Sequence, residues 1–348
     1  MPKQFEFVQI ERNAIFDNTP HQTRMGTCYR DLKGTYHLFI DYVDTAQHTQ
    51  GSWNAEVRYY RSPNLKDWRF VETAVPHGEF RGRPEDSDPD FIGAASSHVL
   101  AAGGRAFVFY AGRFRNSVEI PYSAIVGPDD PAYLGCNIMY ASARLDEQGA
   151  PCEPFVKQGV IASPWGEWAS QRLDDPYACL EGDTVHLYFK GRTDIHGSIA
   201  YARASLEDMS FEVHPTPVLP GAGLGGEAPR VFRHRGRFHM FYHPFNPRGS
   251  NAGMWEHYAQ VAGLEDPTPP EAPALWQHYV SEDGLDWKLY DPDLWDSRKH
   301  SYDLNPIFGL NGALLDPPLL LASGTGSQER NDEEGIIKLW LYEMRDVS

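Results

Sequence analysis

Two carboxylates in the sequence each stand just ahead of a proline, at the start of an apolar stretch. Asp175 precedes Pro176 in the segment LDDP (173–176), and Glu227 lies two residues before Pro229 in the segment GEAP (226–229). Proline biases the preceding backbone toward extended geometry and has no N–H donor, so both segments are predicted to open a strand. Cleavage of a glycosidic bond requires such a pair at one rim, because one carboxyl must be protonated to donate to the leaving oxygen and the other ionised as base or nucleophile.

The strands that would position these acids recur along the chain. Four alternating apolar stretches follow glycine-containing turns, and each leads into a strand–turn–strand pattern. The stretches are 35–42, 105–112, 184–191 and 237–244, and the patterns are 57–70, 137–149, 198–211 and 278–290. A last unit begins at 305–324 and closes at 336–344. Short alternating stretches between turns indicate β-strands. We therefore predict an all-β chain of five units with four short strands each, starting near residues 26, 96, 175, 227 and 311.

Radial repetition of four-stranded sheets is typical of a β-propeller, which protects its strand edges by closing a ring. We predict a single domain over residues 1–348, a five-bladed β-propeller with four-stranded antiparallel blades. The stretches at about 113–135 and 244–275 are predicted to be insertions within blades. The innermost strand of each blade lines the axis, so the residues that begin these strands meet at one mouth of the channel. Asp175 and Glu227 are thus expected at similar places in neighbouring blades.

Composition limits the partners of the protein. The formal net charge of −17 argues against nucleic acid and against an anionic membrane, because phosphates are bound by a basic face, and it favours a neutral ligand. The cysteines Cys28, Cys136, Cys152 and Cys179 are scattered without a CxxC pair. The first residues lack the apolar core of a signal peptide, and no apolar run approaches the ~20 residues of a membrane span. We therefore expect a cytoplasmic protein, or a secreted one if a signal has been removed, and the sequence leaves its oligomeric state open.

The two acidic segments resemble those of the five-bladed propeller glycosidases, the superfamily that includes glycoside hydrolase families 43, 62, 32, 68 and 117. Asp175-Pro176 is similar to the middle Asp-Pro of that superfamily. Glu227-Ala228-Pro229, followed by RVFRHRGRFHMFY, is similar to its Glu-Gly-Pro segment, with Ala228 in place of glycine. The resemblance implies that Glu227 is the general acid and that Asp175 orients this acid and tunes its pKa. It covers the whole chain as a repeat architecture, whereas its specific motifs are short.

The third carboxylate of that superfamily, the base or nucleophile, normally opens the first blade, and this sequence departs there. The corresponding stretch, Met25-Gly26-Thr27, has no acid. The nearest acids lie in RPEDSDPDF (83–91), where Asp88-Pro89 repeats the Asp-Pro pattern. Asp88 is therefore the predicted base, with Asp90 and Asp86 as competitors. The separation of the carboxyl groups decides between inversion and retention, and the sequence leaves this choice open.

Other side chains are candidates for contacts with a sugar or a metal. Aromatic rings stack on sugar faces, so tryptophans in loops are candidate subsite walls. The predicted substrate-binding set is Asp90, Arg24, Arg230, His243, Trp168 and Trp255. His37, His186 and His239 recur at equivalent places in separate blades, so we interpret them as strand histidines with local partners. We expect no cofactor and no catalytic metal, although the ring axis leaves room for a structural cation. Asn311 stands where the superfamily often has a histidine at the start of the fifth blade.

The sequence thus predicts a glycoside hydrolase that acts on an oligosaccharide of the arabinofuranoside, xyloside, galactoside or fructoside type. Two alternatives stay open. One is a glycoside phosphorylase of the same fold, which would need a cluster of Arg, Lys or His beside the acid to hold phosphate. The other is a carbohydrate-binding propeller without catalysis, which the missing acid in the first blade would explain.

Overall fold

The structure, a computed structural model, describes residues 3–18, 21–43, 55–117, 129–193, 197–219, 226–244, 260, 275–296, 303–324 and 338–347. Three predicted site residues fall partly or wholly outside this description. The backbones of Arg24 and Glu227 are described but their side chains are not, and Trp255 lies outside the described residues.

Five four-stranded antiparallel sheets account for the described strands, which confirms the predicted five-bladed β-propeller. Blade V combines the N-terminal strand β1 (Phe5–Gln9) with β18 (Asp303–Pro306), β19 (Leu319–Gly324) and β20 (Lys338–Asp346). Blade I contains β2 (Gln22–Arg30), β3 (Tyr36–Val43), β4 (Glu56–Ser62) and β5 (Arg69–Val75). Blade II contains β6 (Gly93–Ala102), β7 (Arg105–Arg115), β8 (Leu134–Arg144) and β9 (Val156–Ala162). Blade III contains β10 (Arg172–Glu181), β11 (Thr184–Arg192), β12 (Gly197–Ser205) and β13 (Glu212–Val213). Blade IV contains β14 (Gly226–His234), β15 (Arg237–Pro244), β16 (Leu275–Ser281) and β17 (Lys288–Asp296).

The two ends of the chain close the ring, which the sequence units did not reveal. β1 pairs antiparallel with β20 as the outermost strand of blade V, with Phe5 opposite Asp346. The Phe5 ring is buried and contacts aromatic rings of blade IV, including His239 and Phe241 at centroid distances of 5.5 and 5.7 Å. Burial of this side chain therefore fastens the first strand to the last blade and its neighbour.

The fifth blade starts earlier than predicted. Its innermost strand is β18, which begins at Asp303, whereas Asn311 lies in a 3-10 turn (Leu310–Gly312) with a left-handed φ of 59°. The predicted start near residue 311 is therefore wrong, and Asn311 does not open a blade. β18 spans four residues and is too short to show the alternation from which the other blades were recognised.

The repeated histidines have hydrogen-bond partners inside their own blades, as predicted. The partners are Tyr59 (2.6 Å) and Asp31 (3.1 Å) for His37, Tyr201 (2.9 Å) for His186, and His278 (2.9 Å) for His239. Among the described residues, His186 Nε2 has no hydrogen-bond partner. The three histidines belong to three separate blades, so they do not converge.

Buried polar contacts join neighbouring blades around the axis. β2, β6, β10, β14 and β18 contact one another in a closed cycle. Between blades I and II, the Asp41 carboxylate accepts hydrogen bonds from the backbone N–H groups of Ser96 (2.5 Å) and Ser97 (3.1 Å). Between blades II and III, His98 Nε2 donates to the carbonyl oxygen of Ala178 (3.0 Å).

The other three seams between blades are bridged in the same way. Between blades III and IV, Ala228 N donates to Asp175 Oδ2 (3.2 Å). Between blades IV and V, Arg230 Nε donates to Asp303 Oδ1 (2.7 Å). Between blades V and I, Asn305 Nδ2 donates to the Gly26 carbonyl oxygen (3.0 Å). Buried polar groups near the axis therefore find partners across the seams, which a purely apolar packing would not provide.

The antiparallel order of the strands fixes which strand ends share one end of the ring. The innermost strands β2, β6, β10 and β14 begin at this end, which we call the mouth, and the second strands end there. The predicted insertions at about 113–135 and 244–275 fall mostly outside the described residues and stay a prediction. Among the described residues, no helix is long and apolar enough to cross a membrane.

Candidate active site

The innermost strands of blades II, III and IV share a local irregularity near the mouth. The pairing register shifts across residues 95–98, 174–177 and 227–230. Within each shift one residue other than glycine has a left-handed backbone, with φ of 54° at Ser96, 53° at Asp175 and 55° at Ala228. L-residues rarely adopt this conformation, and such strained residues cluster at functional sites. The three bulges therefore mark the mouth as the candidate site.

The bulges correct one expectation about the two predicted acids. Glu227 pairs with His243 just before its bulge, and Asp174 pairs with Lys190 at the matching point of blade III. Asp175 therefore corresponds to Ala228, and the expectation that Asp175 and Glu227 occupy similar places is wrong by one residue. The reason is that the left-handed residue directly precedes the proline in both strands, and this residue is the acid only in blade III.

Asp175 nevertheless reaches the segment that carries Glu227. Its Oδ2 atom accepts a hydrogen bond from the backbone N–H of Ala228. Burial acts to lower the pKa of Arg230, but Asp303, and to a smaller extent Asp175, raise it above its ordinary value. Asp175 is 5% exposed, so its carboxylate lies within the seam between blades III and IV. The two acids are thus neighbours through backbone contact.

Asp174 points to the opposite seam, because the left-handed backbone of Asp175 turns the two neighbouring side chains apart. Its Oδ2 atom forms an ion pair with Arg172 Nε at 2.9 Å, and its carboxylate interacts with the Cys136 thiol of blade II. Two adjacent buried acids are therefore divided between two seams, with Asp175 toward blade IV and Asp174 toward blade II.

Asp88 lies in the connection between blades I and II, at the mouth. Its carboxylate accepts from the backbone N–H of Glu79 (2.9 Å) and pairs with Arg81 (2.7 Å), and the side chain is 32% exposed. The hydrogen bond from Glu79 is the main cause that lowers the pKa of Asp88, with a smaller contribution from Arg81. Its carboxylate is therefore held ionised and is accessible to water.

Asp90 has different surroundings. Its Oδ2 atom accepts hydrogen bonds from Tyr110 (3.0 Å) and Lys157 (2.6 Å), and the residue is 1% exposed. Lys157 belongs to β9, the outermost strand of blade II, so these contacts draw Asp90 away from the innermost strands. Asp86, the third acid of this segment, is exposed at the surface.

The remaining predicted side chains occupy varied positions. Arg230 is buried between blades IV and V, where it pairs with Asp303 and lies over the Tyr177 ring. His243 is opposite Glu227 in the sheet and its ring contacts Trp276 at a centroid distance of 5.1 Å. Trp168 is half-buried at the mouth, contacts Trp165 edge-on and donates to the Pro215 carbonyl oxygen.

Sequence reasoning missed one acid near the mouth. Asp41 of β3 lies opposite the bulge of β2. The equivalent positions on the second strands of blades II, III and IV are occupied by aromatic residues, namely Tyr110, Phe189 and Tyr242. Burial raises the pKa of Asp41 to about 6, against the hydrogen bonds from Ser97 and Ser96 and the charge of Arg113. Its signal in the sequence was an acid inside the apolar stretch LFIDY (38–42). The structure assigns it to holding the bulge of β6.

A group of basic residues near the mouth was also missed. Arg113 and Arg115 end β7, and Lys190 and Arg192 end β11. Their signal was the basic endings of these strands, GRFR (112–115) and KGR (190–192). Within the described part of the chain, no three His, Cys, Asp or Glu residues are grouped so as to hold a metal ion.

Comparisons with known proteins agree with the architecture. No protein-family model and no curated protein matches the sequence. The structure is similar to a family 117 glycoside hydrolase produced by the marine bacterium Zobellia galactanivorans, with a TM-score of 0.65, 17% identity and coverage of 98% of this chain and 90% of that chain. It is also similar to the catalytic domain of a family 62 α-L-arabinofuranosidase from Coprinopsis cinerea (TM-score 0.60, 12% identity, 99% and 98% covered). A third similar structure is a family 32 β-fructofuranosidase from Bombyx mori (TM-score 0.60, 15% identity, 97% and 63% covered).

These likenesses define the class by fold. The chain is a five-bladed β-propeller of the kind found in glycoside hydrolase families 117, 62 and 32. With identities of 12 to 17%, the likeness extends to the fold alone.

Proposed function

We propose that the protein is a glycoside hydrolase whose active site lies at the mouth of the propeller. The observation that carries this proposal is the hydrogen bond from Ala228 N to Asp175 Oδ2, because it joins the Asp175 carboxylate to the residue next to Glu227. The Asp175 carboxylate and the backbone of Glu227 are thereby neighbours at one seam, which supports a role for Asp175 in positioning a general acid for cleavage of a glycosidic bond. The shared fold of the family 117, 62 and 32 enzymes supports the same class of reaction.

In this mechanism Glu227 donates its proton to the leaving glycosidic oxygen as the bond from that oxygen to the anomeric carbon breaks. Asp175 positions the segment that carries Glu227, and its negative charge favours the protonated form of a neighbouring carboxyl. Asp88 is the proposed base, because it is ionised and open to water at the mouth, whereas Asp90 is held by Tyr110 and Lys157. It removes a proton from the water that attacks the anomeric carbon, or attacks that carbon itself.

The proposed substrate is a small oligosaccharide of the arabinofuranoside, xyloside, galactoside or fructoside type. Propellers with this fold include an arabinofuranosidase and a β-fructofuranosidase, and an arabinofuranosidase from Podospora anserina is described in complex with cellotriose. His243, Trp168, Trp255 and Arg24 are proposed to contact the sugar, whereas Arg230 is 2% exposed and is held by Asp303, so it supports the site from within the seam. The cytoplasmic location stays a prediction.

Hydrolysis of a panel of aryl glycosides by the wild type, Glu227→Gln and the control Glu212→Gln tests the proposal. Glu212 is an exposed acid of blade III that pairs with Arg203. Loss of a general acid typically costs about 10²–10⁴-fold in rate. We expect this loss for Glu227→Gln with nitrophenyl glycosides, a smaller loss with dinitrophenyl glycosides, whose leaving groups need no proton, and no loss for Glu212→Gln. Equal activity of Glu227→Gln and wild type would contradict the assignment of the acid.

A carbohydrate-binding propeller without catalysis is the second candidate. The observation that favours it is that β2, the innermost strand of blade I, has no acid, and the nearby Asp41 is engaged with Ser96 and Ser97. Calorimetric binding of an oligosaccharide that the protein does not hydrolyse over many hours would support this candidate against the hydrolase.

A further inference from the structure

Basic side chains are concentrated where blades II and III meet at the mouth. This group, which we call the blade II–III cation cluster, consists of Arg113, Arg115, Arg172, Lys190 and Arg192. All five residues are buried, with 3 to 6% of their surface exposed. A protein with a formal net charge of −17 has thus collected buried positive charge at one point of its fold.

The register shows that the cluster is built by matching positions of two blades. Gly93 of β6 is opposite Arg113, and Arg172 of β10 is opposite Arg192. In each blade, the residue of this pair on the innermost strand lies two positions before the last residue that is paired ahead of the bulge. Arg113 and Arg192 are therefore equivalent residues at the mouth ends of the second strands of adjacent blades.

The Cys136 thiol of β8 shows that these basic residues approach one another across the seam. The pKa of this thiol is raised to about 12, mainly by burial and also by Asp174, whereas Arg113 and Arg172 act to lower it. Arg113 belongs to blade II and Arg172 to blade III, and both act on one sulfur. Their guanidinium groups therefore face the same seam.

Like charges are placed directly opposite each other within blade III. Arg172 and Arg192 form a cross-strand pair, and side chains in such pairs have Cβ atoms about 4.5–5.5 Å apart. Like charges at this spacing destabilise a sheet, and burial increases the cost. The ion pair of Arg172 with Asp174 offsets one of the charges, and the Asp41 carboxylate of blade I interacts with Arg113. These side chains have further contacts within the protein, and what distinguishes the cluster is that five basic residues are gathered at one place.

The cluster adjoins the proposed active site. Lys190 is opposite Asp174, the residue before Asp175, in the same way that His243 is opposite Glu227 in the next blade. A group held by Lys190, Arg172 and Arg192 would thus lie one blade away from the acid and beside the carboxylate that positions it.

We propose that the blade II–III cation cluster binds an oxyanion, namely a carboxylate, sulfate or phosphate group carried by the sugar substrate. This inference deepens the proposed hydrolase function and rests on it. Arginine has a planar fork of donors that matches such groups in a bidentate way, and lysine adds a point charge. The negative net charge of the whole chain favours a neutral ligand, but the five basic residues of the cluster favour an acidic one.

Binding measurements separate this inference from the hydrolase proposal. Galacturonate, glucuronate and galactose 6-sulfate are compared with galactose and glucose by calorimetry and by thermal shift, on the wild type and on Glu227→Gln. We expect the acidic sugars to bind at least 10-fold more tightly than their neutral parents to both proteins. Loss of catalysis in Glu227→Gln with retained binding of acidic sugars would leave both proposals intact. Equal binding of acidic and neutral sugars would overturn the oxyanion site without touching the hydrolase.

Substitutions within the cluster provide the second arm. Arg192→Gln should weaken binding of acidic sugars at least 10-fold and leave neutral sugars unchanged, and Arg192→Lys should weaken it less. Arg203→Gln is the matched control, because Arg203 is exposed on β12 of the same blade and pairs with Glu212. Lys190→Gln replaces Arg192→Gln if the latter does not fold. Wild-type affinity for acidic sugars in folded Arg192→Gln or Lys190→Gln would contradict the inference.

Inorganic phosphate tests the other source of an oxyanion. In phosphorolysis a phosphate oxygen bonds to the anomeric carbon, the glycosidic C–O bond breaks and the leaving oxygen takes the proton of Glu227. Formation of a sugar 1-phosphate that depends on added phosphate and is lost in Arg192→Gln would support the site and identify free phosphate as its ligand. Turnover that is independent of phosphate, together with preference for acidic sugars, would identify the substrate as the source.

Discussion

The Asp175 carboxylate lies 3.2 Å from the backbone nitrogen of Ala228, the residue that follows Glu227 in the chain. Both Asp175 and Ala228 have left-handed backbones, and both precede a proline. Two equivalent bulges of neighbouring blades are thereby linked by one hydrogen bond. The position of the Glu227 backbone depends on Asp175, which gives this carboxylate a positioning role that its charge can supplement.

Asp175→Asn is expected to lower kcat by roughly 10²-fold while the fold is retained. Asparagine keeps an oxygen that accepts from Ala228 but removes the negative charge. Without the like charge, the pKa of a neighbouring acid falls, so the alkaline limb of the kcat profile should move to lower pH. The measurement is a pH–rate profile of both proteins. An unshifted alkaline limb would remove the tuning role, and the exposed control Asp183→Asn should match the wild type throughout.

Asp41→Ala is expected to destabilise the fold by about 3 kcal/mol or more, because each of three buried donors left without an acceptor costs about 1–3 kcal/mol. The substitution leaves the backbone N–H groups of Ser96 and Ser97 and the Ser97 hydroxyl without their shared acceptor. Urea unfolding monitored by tryptophan fluorescence gives the free energy of unfolding. Ser97→Ala removes one of the three donors and should cost about 1 kcal/mol. A smaller effect of Asp41→Ala than of Ser97→Ala would show that the carboxylate does not hold the bulge.

Stability should fall as the pH is lowered through the range of histidine titration. Burial lowers the pKa of His98 and of His278 to about 3, and that of His37 and of His239 to about 4. A group whose pKa is lower in the folded state stabilises the fold above its unfolded pKa of about 6.5, and this contribution is lost progressively as the pH falls below that value.

His98→Gln tests this dependence at one site. Glutamine can donate to Ala178 but does not titrate, so between pH 6.5 and 5 the variant should lose about 1–2 kcal/mol less of its free energy of unfolding than the wild type. The exposed His77→Gln is the control and should follow the wild type. Parallel curves for His98→Gln and wild type would mean that His98 does not contribute to acid sensitivity.

Phe5→Ala should cost about 3–5 kcal/mol, the usual range for removing a buried phenylalanine side chain. Phe5 fastens β1 to β20 and contacts His234, His239, Phe241 and His278. Thermal unfolding and limited proteolysis near the N-terminus measure the effect. Leu32→Ala, at a 70% exposed position, should change stability little. If both substitutions had the same small effect, β1 would not be what closes the ring.

Much of the fold followed from local patterns in the sequence. The alternating stretches at 105–112, 184–191 and 237–244 correspond to β7, β11 and β15, because a strand with a buried face repeats every two residues wherever it lies. Four such stretches, together with the last unit at 305–344, were enough to predict five blades. The start of blade V was misplaced because β18 has four residues, and the role of β1 was missed because its partner β20 lies at the other end of the chain.

The candidate site was accessible to sequence reasoning only in part. The acids before Pro176 and Pro229 could be recognised, because proline and charge are local signals. Which seam each carboxylate faces could not, since a single left-handed residue sends Asp175 toward blade IV and Asp174 toward blade II. The sequence by itself determined the strands, their number and the acids at the mouth. Only the tertiary structure decided that Asp175 contacts Ala228, that Asp41 holds Ser96 and that basic residues of blades II and III gather at one seam. The first two contacts join residues that are 53 and 55 positions apart, and all three depend on the packing of neighbouring blades in the closed ring.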